Sequence, residues 1–441
     1  MIHSLPRRST RTKRPQRHCE FSVSLPLEIE FLILDEFVDD TVRLRRFCRI
    51  CRAWGAHAQS LLFRDVCVRY RTAAPFLALL NTGDVGRYIS ALSVIEVSHW
   101  QRGYDQPILL DMIAPLVTKT MPNVRTLHIS YRSFVRLAQL PPASHWGGIS
   151  RLQLRFCKFA DSDTLVAFIA SFPRLESLDV FQCCTQDVRL GAKPAPLRSP
   201  IVMPGWHLKY LALGEFPQNA LLDWMVAALT EITVAHLRIL SLGPDASSFN
   251  ALLAKIGGSL RELEVPGMHR WVLGPEVPLS ICPCVALTTL TFSERSAYDL
   301  GRGIISVLAQ FAAPSLATVA FQIHLNTGFL DIPWEDVGGA LSTDAFRGLE
   351  AVAFSMWGGP FEGALLTPYD EAVLLMAERL PRLAARGLLR FSYAEDTTRT
   401  VYVPPAQEEE PLRESLRTRI SRSVSGWLTR PRRTAVYAIE L

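Results

Sequence analysis

Three short apolar segments lie between Ser24 and Phe63, and each repeats its apolar residues with the period of a helix. The apolar positions are Ile29, Leu32, Ile33 and Phe37 in the first segment, Leu44, Phe47, Cys48 and Cys51 in the second, and Trp54, Ala58, Leu61 and Leu62 in the third. The Asp39–Thr41 break supplies an N-cap for the second helix. The pattern predicts a three-helix unit of roughly 40 residues, a size at which a core usually needs a neighbour or partner to be stable.

From Arg64 onward, strand-like and helix-like segments alternate. Arg64–Tyr70 is the first predicted strand, and the pattern L-x-x-L-x-L then recurs at residues 124–129, 175–180, 208–213, 237–242, 260–265 and 287–292, with weaker copies at 89–94, 149–154, 316–321 and 349–354. Helical segments lie at 107–120, 163–172, 219–230, 248–256 and 303–313, and another helix starts near 367–370. Right-handed crossovers between successive strands predict an α/β fold with a parallel sheet.

The recurring pattern resembles leucine-rich repeats over about residues 85–360. That resemblance implies an irregular solenoid with a curved parallel sheet, with strands on the concave side and helices on the convex side. Residues 184–205, rich in Pro and Gly, are predicted to form an extended loop on one rim. A doubly wound α/β domain is the alternative, but the strands of such a domain are not copies of one another, so the repeats favour the solenoid.

The three-helix segment resembles an F-box over about a tenth of the chain. The resemblance is carried by Leu25-Pro26-Leu27-Glu28-Ile29, by Ile33-Leu34, by Ile50-Cys51-Arg52-Ala53-Trp54 and by Leu61-Leu62-Phe63. The middle helix departs from the family, because it is rich in arginine (Arg43, Arg45, Arg46, Arg49 and Arg52). The resemblance implies that an adaptor of the Skp type, and through it a cullin, is a partner. The residues that would make or support this contact are Leu25, Pro26, Ile29, Ile33, Leu34, Cys51 and Trp54.

Composition limits the remaining possibilities. The chain has 441 residues, 49% of them apolar, and a net charge of +5, so it is expected to be globular, with no need of a nucleic-acid partner. We expect no membrane span, and the nine scattered cysteines favour the reducing cytoplasm or nucleus. The predicted organisation is a disordered basic tail at 1–20, the F-box-like module at 21–63, the repeat domain at 64–393, and a polar, then basic tail at 394–441.

The cysteines are predicted to be structural, with no metal site and no cofactor. Cys48 and Cys51 have the spacing of metal ligands, but both are assigned to the apolar stripe of the second helix. Cys157 and Cys183 each lie three residues after the last apolar residue of a strand, where a small side chain turns inward to hold the loop. No phosphate loop, nucleophile elbow or metalloprotease motif occurs, so we expect no catalysis.

In each predicted strand, the residue between two apolar positions points away from the core. These positions are His128, Gln153, Asp179, Ala212, Ser241, Glu264, Thr291, Ala320 and Ala353. The set has no single sign of charge, which favours a protein or peptide partner over a polyanion. The candidate partner-binding residues are His128, Gln153, Asp179, Ser241, Glu264 and Thr291.

Together these features lead to the hypothesis of a non-catalytic substrate-recognition subunit of an SCF-type cullin–RING ubiquitin ligase, in the ubiquitin conjugation pathway. The alternative is a leucine-rich-repeat scaffold whose N-terminal helices only cap the solenoid, because terminal repeats need such a cap. Exposure discriminates between them: an exposed apolar patch at Leu25, Ile29 and Ile33 favours docking. A deep pocket with convergent His and carboxylate groups would instead favour an enzyme.

Overall fold

The computed structural model describes residues 25–82, 84–96, 109–134, 141–185, 206–214, 218–228, 233–239, 246–266, 279–293, 300–310, 315–325, 332–357, 369–393 and 396–402. The chain divides into two compact units, one that ends at Phe63 and one that begins at Arg64.

The first unit contains the three predicted helices, α1 (Leu27–Asp35), α2 (Thr41–Phe47) and α3 (Arg52–Leu62). The predicted cap of α2 is confirmed, because the Asp40 carboxylate accepts a 2.9 Å hydrogen bond from the Arg43 backbone N–H. Each helix contributes one fully buried apolar side chain to the core, namely Leu34, Leu44 and Ala58. The core of this unit is therefore small.

An aromatic cluster extends that core between the helices. The Phe47 ring meets Phe37 edge to face at a centroid distance of 5.3 Å and Trp54 at 5.4 Å. The Phe31 ring of α1 stacks on the His57 ring of α3 at 4.2 Å. Ring contacts thus join α1 to α3 and α2 to α3.

The second unit is α/β and is built on one large, mostly parallel sheet, as the alternation of strands and helices predicts. In the described chain its strands are β1 (Asp65–Arg69), β2 (Ala91–Ile95), β3 (Thr126–Ser130), β5 (Arg151–Arg155), β7 (Ser177–Phe181), β9 (Tyr210–Gly214), β10 (His236–Ile239), β11 (Glu262–Pro266), β12 (Thr289–Ser293), β13 (Thr318–His324), β14 (Ala351–Trp357), β15 (Leu389–Tyr393) and β16 (Asp396–Tyr402). They pair in sequence order, and every described pair is parallel except β15 with β16. Three two-residue strands, β4 (Ser133–Phe134), β6 (Lys158–Phe159) and β8 (Cys184–Thr185), form a separate parallel sheet.

Helices connect most of these strands. They are α4 (Tyr70–Thr82), α5 (Leu109–Thr120), α6 (Ser162–Ala170), α7 (Gln218–Ala228), α8 (Ser247–Ile256), α9 (Leu300–Leu308), α10 (Trp334–Leu341), α11 (Tyr369–Arg379) and α12 (Pro381–Ala385). Short 3₁₀ turns occur at Asp84–Tyr88, Ala143–Trp146 and Asp344–Phe346. The Asp161 carboxylate caps α6 through a 2.7 Å hydrogen bond from the Thr164 N–H.

Two columns of apolar side chains run across the buried face of the sheet. Paired leucines form the first column, on eight successive strands of the large sheet: Leu92, Leu127, Leu152, Leu178, Leu211, Leu237, Leu263 and Leu290. In the second column, phenylalanines 292, 321, 354 and 391 stack in turn at 5.1–5.4 Å. Because side chains alternate along a strand, the residue between the two columns lies on the opposite face.

The sheet extends past residue 393, where the polar composition indicated that the packed domain ends. Strand β16 continues to Tyr402 and pairs antiparallel with β15. The segment from Thr397 to Val401 is rich in Thr and ends in Val, and β-branched residues favour strands even in a polar sequence.

Candidate functional site

The first unit carries an exposed apolar surface. Of the ten large apolar side chains that are exposed in the described chain, seven belong to this unit: Leu25, Leu27, Ile29, Leu32, Ile33, Val42 and Ile50. Their exposed fractions run from 40% to 61%. Isolated exposed apolar residues are ordinary, whereas a concentration of them in so small a unit is not. We call Leu25, Leu27, Ile29, Leu32 and Ile33 the N-terminal apolar patch.

Helix α1 turns a different side to the core from the one its periodicity indicates. Ile29, Leu32, Ile33 and Phe37 share the predicted apolar face, yet Ile29, Leu32 and Ile33 are exposed while Leu34 is completely buried. The helix has apolar residues around most of its circumference, so the sequence pattern does not define which side is covered. The apolar residues left over on the outside form the patch.

The structure separates the predicted adaptor-binding residues into two groups. Leu25, Pro26, Ile29 and Ile33 are exposed, so they are able to touch a partner directly. Leu34 is fully buried, so it supports the helix instead. The Trp54 ring is partly buried, and its indole N–H donates a 2.7 Å hydrogen bond to the Glu30 carboxylate, which holds α3 against α1.

Cys51 is not on the stripe of α2, and that prediction is wrong. Helix α2 ends at Phe47, and Cys51 is exposed at the N-cap of α3, where its sulfur accepts a 3.5 Å hydrogen bond from the Trp54 N–H. Cys48 is half-buried, and burial raises the pKa of its thiol. Among the described residues, no group of three or more His, Cys, Asp and Glu side chains is arranged to hold a metal ion.

The five arginines by which the predicted middle helix departs from the family are all exposed: Arg43, Arg45 and Arg46 on α2, Arg49 in the turn after it, and Arg52 at the start of α3. The guanidinium of Arg43 lies 3.1 Å from the Asp40 carboxylate and 5.1 Å from the centre of the Phe37 ring. The unit therefore presents a basic surface as well as an apolar one.

The second unit places most of the predicted outward residues in a single column across the sheet. Register pairs align Ser93, His128, Gln153, Asp179 and Ala212 on successive strands, followed by Arg238, Glu264, Thr291, Ala320 and Ala353. We call this the outward column. Gln153 and Thr291 are partly exposed within it, whereas Asp179 is 9% exposed and Ala212 only 1%.

On β10 the outward column contains Arg238 in the place predicted for Ser241, because the repeat lies three residues earlier than the predicted one. Leu237, not Leu240, pairs with Leu211 and Leu263. Ser241 itself lies outside the described residues. The segment 234–242 offers two overlapping sets of apolar residues at the same spacing, and only strand pairing distinguishes them.

Arg238 forms the best-defined polar contact of the outward column. Its Nε donates a 2.7 Å hydrogen bond to the Glu264 carboxylate on the next strand. Burial lowers the pKa of Arg238, but the Glu264 carboxylate and the Tyr210 hydroxyl outweigh it and raise the pKa above its usual value. Burial also raises the pKa of Tyr210.

His128 faces outward as predicted, and polar neighbours surround its ring. Its Nε2 lies 2.9 Å from the Ser130 hydroxyl and its Nδ1 lies 3.5 Å from that of Ser93. Burial, and then the positive charge of Arg155, lower the pKa of His128 to about 4. The imidazole is therefore neutral at physiological pH.

The predicted role of Cys157 and Cys183 is confirmed. Both are buried, and their thiols contact backbone carbonyl oxygens of the preceding strand, Ile129 and Leu154, each at 3.6 Å. Burial raises the pKa of Cys183. Cys284 is also buried, and burial raises its pKa to about 12, so it too stays a neutral thiol.

Arg132 occupies the position that Cys157 fills one repeat later, which the sequence pattern did not reveal. Its guanidinium is buried and lies 2.9 Å from the equally buried Glu96 carboxylate and 3.3 Å from Asp111. Glu96 in turn accepts a 2.9 Å hydrogen bond from the Leu110 N–H at the start of α5. An ion pair thus holds this loop where the following repeats use a thiol.

No protein-family model matches the chain, and no curated protein matches it significantly. None of the described helices is both long enough and apolar enough to cross a lipid bilayer.

Proposed function

We propose that the protein is a non-catalytic receptor subunit of an SCF-type cullin–RING ubiquitin ligase. The N-terminal helices would dock on an adaptor of the Skp type, and the second unit would hold the target protein. The observation that carries this proposal is the N-terminal apolar patch, because it includes Leu25, Ile29 and Ile33, three of the seven residues that the F-box resemblance assigns to adaptor contact. Binding to the adaptor would cover apolar side chains that are otherwise in water.

The second unit supports the proposal through its architecture. Strands that pair in sequence order, eight of them in succession with a buried leucine in the same column, are what a leucine-rich-repeat-like solenoid would have. Such an array offers a long outward surface for a protein partner. Target and ubiquitin-charged enzyme would be brought together through a raised effective concentration, with no catalytic group in this chain. The complex would act in the cytoplasm or the nucleus.

Capture of a purified Skp-type adaptor by the full-length protein tests the proposal. The variant Leu25→Ser/Ile29→Ser/Ile33→Ser changes only exposed side chains, so it should fold and yet bind the adaptor at least about tenfold more weakly. The matched control is Met112→Ser/Val285→Ser, which removes two exposed apolar side chains of the second unit. Equal capture by all three proteins would refute the docking role of the patch.

A scaffold whose helices only cap the sheet is the second candidate, and the small core of the first unit favours it. If the cap were formed by Leu25, Ile29 and Ile33, these side chains would lie against the repeats, and the same triple variant would lower the melting temperature of the protein. Docking on an adaptor predicts an unchanged or higher melting temperature in the absence of the adaptor. One thermal melt of the triple variant therefore separates the two functions.

A further inference from the structure

Three aromatic rings form a row where strands β3, β5 and β7 end. The Tyr131 and Phe156 rings stack at 4.8 Å and are nearly parallel, and the Phe181 ring meets Phe156 edge to face at 5.8 Å. All three residues are partly exposed. We call Tyr131, Phe156 and Phe181 the aromatic row.

The backbone under the aromatic row is unusual. Tyr131 has a φ of 61° and Phe156 a φ of 55°, and Gln182, at the same position in the next repeat, has a φ of 48°. This left-handed region favours glycine or asparagine, and bulky residues seldom occupy it. A turn that needs only this backbone shape would be made more easily by glycine. The aromatic side chains are therefore best explained by what their rings contact.

One exposed cation borders the aromatic row. Arg155 directly precedes Phe156, pairs in register with Ser130 and Phe181, and has a side chain that is 45% exposed. Its guanidinium lies 3.6 Å from the Asp179 carboxylate, a distance longer than a hydrogen bond. Asp179 is itself mostly buried, so the Arg155 guanidinium is the member of this ion pair that a partner can reach.

We propose that the aromatic row and Arg155 together bind a protein segment that presents an apolar or aromatic side chain beside a carboxylate. The apolar side chain would lie on the exposed parts of the rings, and the carboxylate would pair with the Arg155 guanidinium. Aromatic and arginine side chains dominate the energetics of protein interfaces, and an arginine matches a carboxylate through two parallel N–H donors. This inference rests on the proposed function, because it specifies the target segment that the receptor recognises.

Short synthetic peptides test the inference with the full-length protein. Each has a central Trp, Phe or Leu flanked by Glu, by Lys or by Ser, in an otherwise Gly–Ser sequence, and binding is measured by fluorescence polarisation. The Glu-flanked peptides should bind at least about tenfold more tightly than the Lys-flanked ones. Failure of every peptide to bind, or equal binding of the Glu-flanked and Lys-flanked peptides, would overturn the inference.

Variants identify the two halves of the site. Arg155→Glu should reverse the preference in favour of the Lys-flanked peptides, whereas Arg151→Glu should leave it unchanged. Arg151 is the matched control, because it is exposed at the other end of the same strand. Phe156→Gly keeps the left-handed backbone accessible and should weaken binding of every peptide about tenfold or more. A variant Arg155→Glu that keeps the Glu preference would contradict the assignment.

The same preparations also measure adaptor capture, so the two proposals fail separately. A protein that captures the adaptor but binds no peptide refutes the inference alone. A protein that binds Glu-flanked peptides but no adaptor refutes the proposed ligase function and leaves the peptide site standing.

Discussion

The guanidinium of Arg238 lies 2.7 Å from the Glu264 carboxylate, so two adjacent strands of the sheet are joined by an ion pair on their outward face. Both side chains are partly buried, at 38% and 17% exposed, and such a pair is screened less than a fully solvated one. We expect a coupling energy of about 1 kcal/mol from a double-mutant cycle with Arg238→Met and Glu264→Gln, measured by urea unfolding. The Lys209–Glu176 pair is the control, because its side chains are 64% and 50% exposed and its coupling should be close to zero. Equal coupling in both pairs would contradict this account.

His128 should make the stability of the protein depend on pH. Its pKa is about 4 in the folded protein, below the usual 6.5, so between these values the unfolded chain binds a proton that the folded chain does not. The contribution that the neutral His128 imidazole makes to the free energy of unfolding is therefore fully present above pH 6.5. It is lost as the pH falls toward 4. A pKa shift of this size corresponds to at most about 3 kcal/mol in the free energy of unfolding. Solvent reaches part of the ring, so the loss of stability should be smaller than that limit. The variant His128→Gln should lose less stability than the wild type between pH 7 and pH 5 in thermal melts. If the melting temperatures of the two proteins fall in parallel with pH, His128 does not cause the pH dependence.

Removing only the cation of the buried Arg132–Glu96 ion pair should destabilise the protein more than replacing both partners with neutral side chains. Arg132→Met leaves the Glu96 carboxylate buried without its cation, and we expect a loss of about 3–5 kcal/mol in the free energy of unfolding. The double variant Arg132→Met/Glu96→Gln should recover a large part of that loss, because Gln is neutral and still accepts the hydrogen bond from the Leu110 N–H. Urea unfolding of the wild type and both variants measures this, and a double variant no more stable than Arg132→Met would disprove it.

Gly257 and Gly258 offer a matched pair of substitutions at the end of α8. A Cβ atom added at Gly257 would lie 2.4 Å from the Pro283 carbonyl oxygen, whereas one added at Gly258 would meet nothing within 4 Å. The φ of Gly257 is −56°, so the glycine is needed for the close approach of two backbones rather than for a left-handed turn. Gly257→Ala should cost about 1–3 kcal/mol and Gly258→Ala less than about 0.5 kcal/mol, as measured by urea unfolding. Similar losses at both positions would show that the spacing to Pro283 is not what matters.

Much of the fold follows from the sequence, because its signals are local and repeat. The leucine column and the inward thiols of Cys157 and Cys183 are of this kind, since successive repeats place the same type of side chain at the same position. The stop of α8 at Gly257 is also predictable, although the close approach of Gly257 to Pro283 is in no local pattern.

Two features could not be predicted because the sequence allows two equivalent arrangements and only tertiary packing selects between them. Arg238 replaces Ser241 because two leucine spacings overlap, and α1 exposes Ile29 because its apolar residues surround the helix. The sequence does not reveal the aromatic row for another reason. Phe181 is the last residue of β7, and Tyr131 and Phe156 come directly after their strands, where period-2 alternation stops and backbone conformation decides which way a ring points.

The sequence-order pairing of the sheet has a consequence for synthesis of the chain. Asp65 pairs with Ala91 and Val352 with Leu389, so each strand finds its parallel partner within a few tens of residues. A nascent chain could therefore add each described parallel strand as it leaves the ribosome, without waiting for distant sequence. Until the next strand emerges, the most recent strand has an unpaired edge. At that edge the nascent protein can pair with strands of other chains and aggregate.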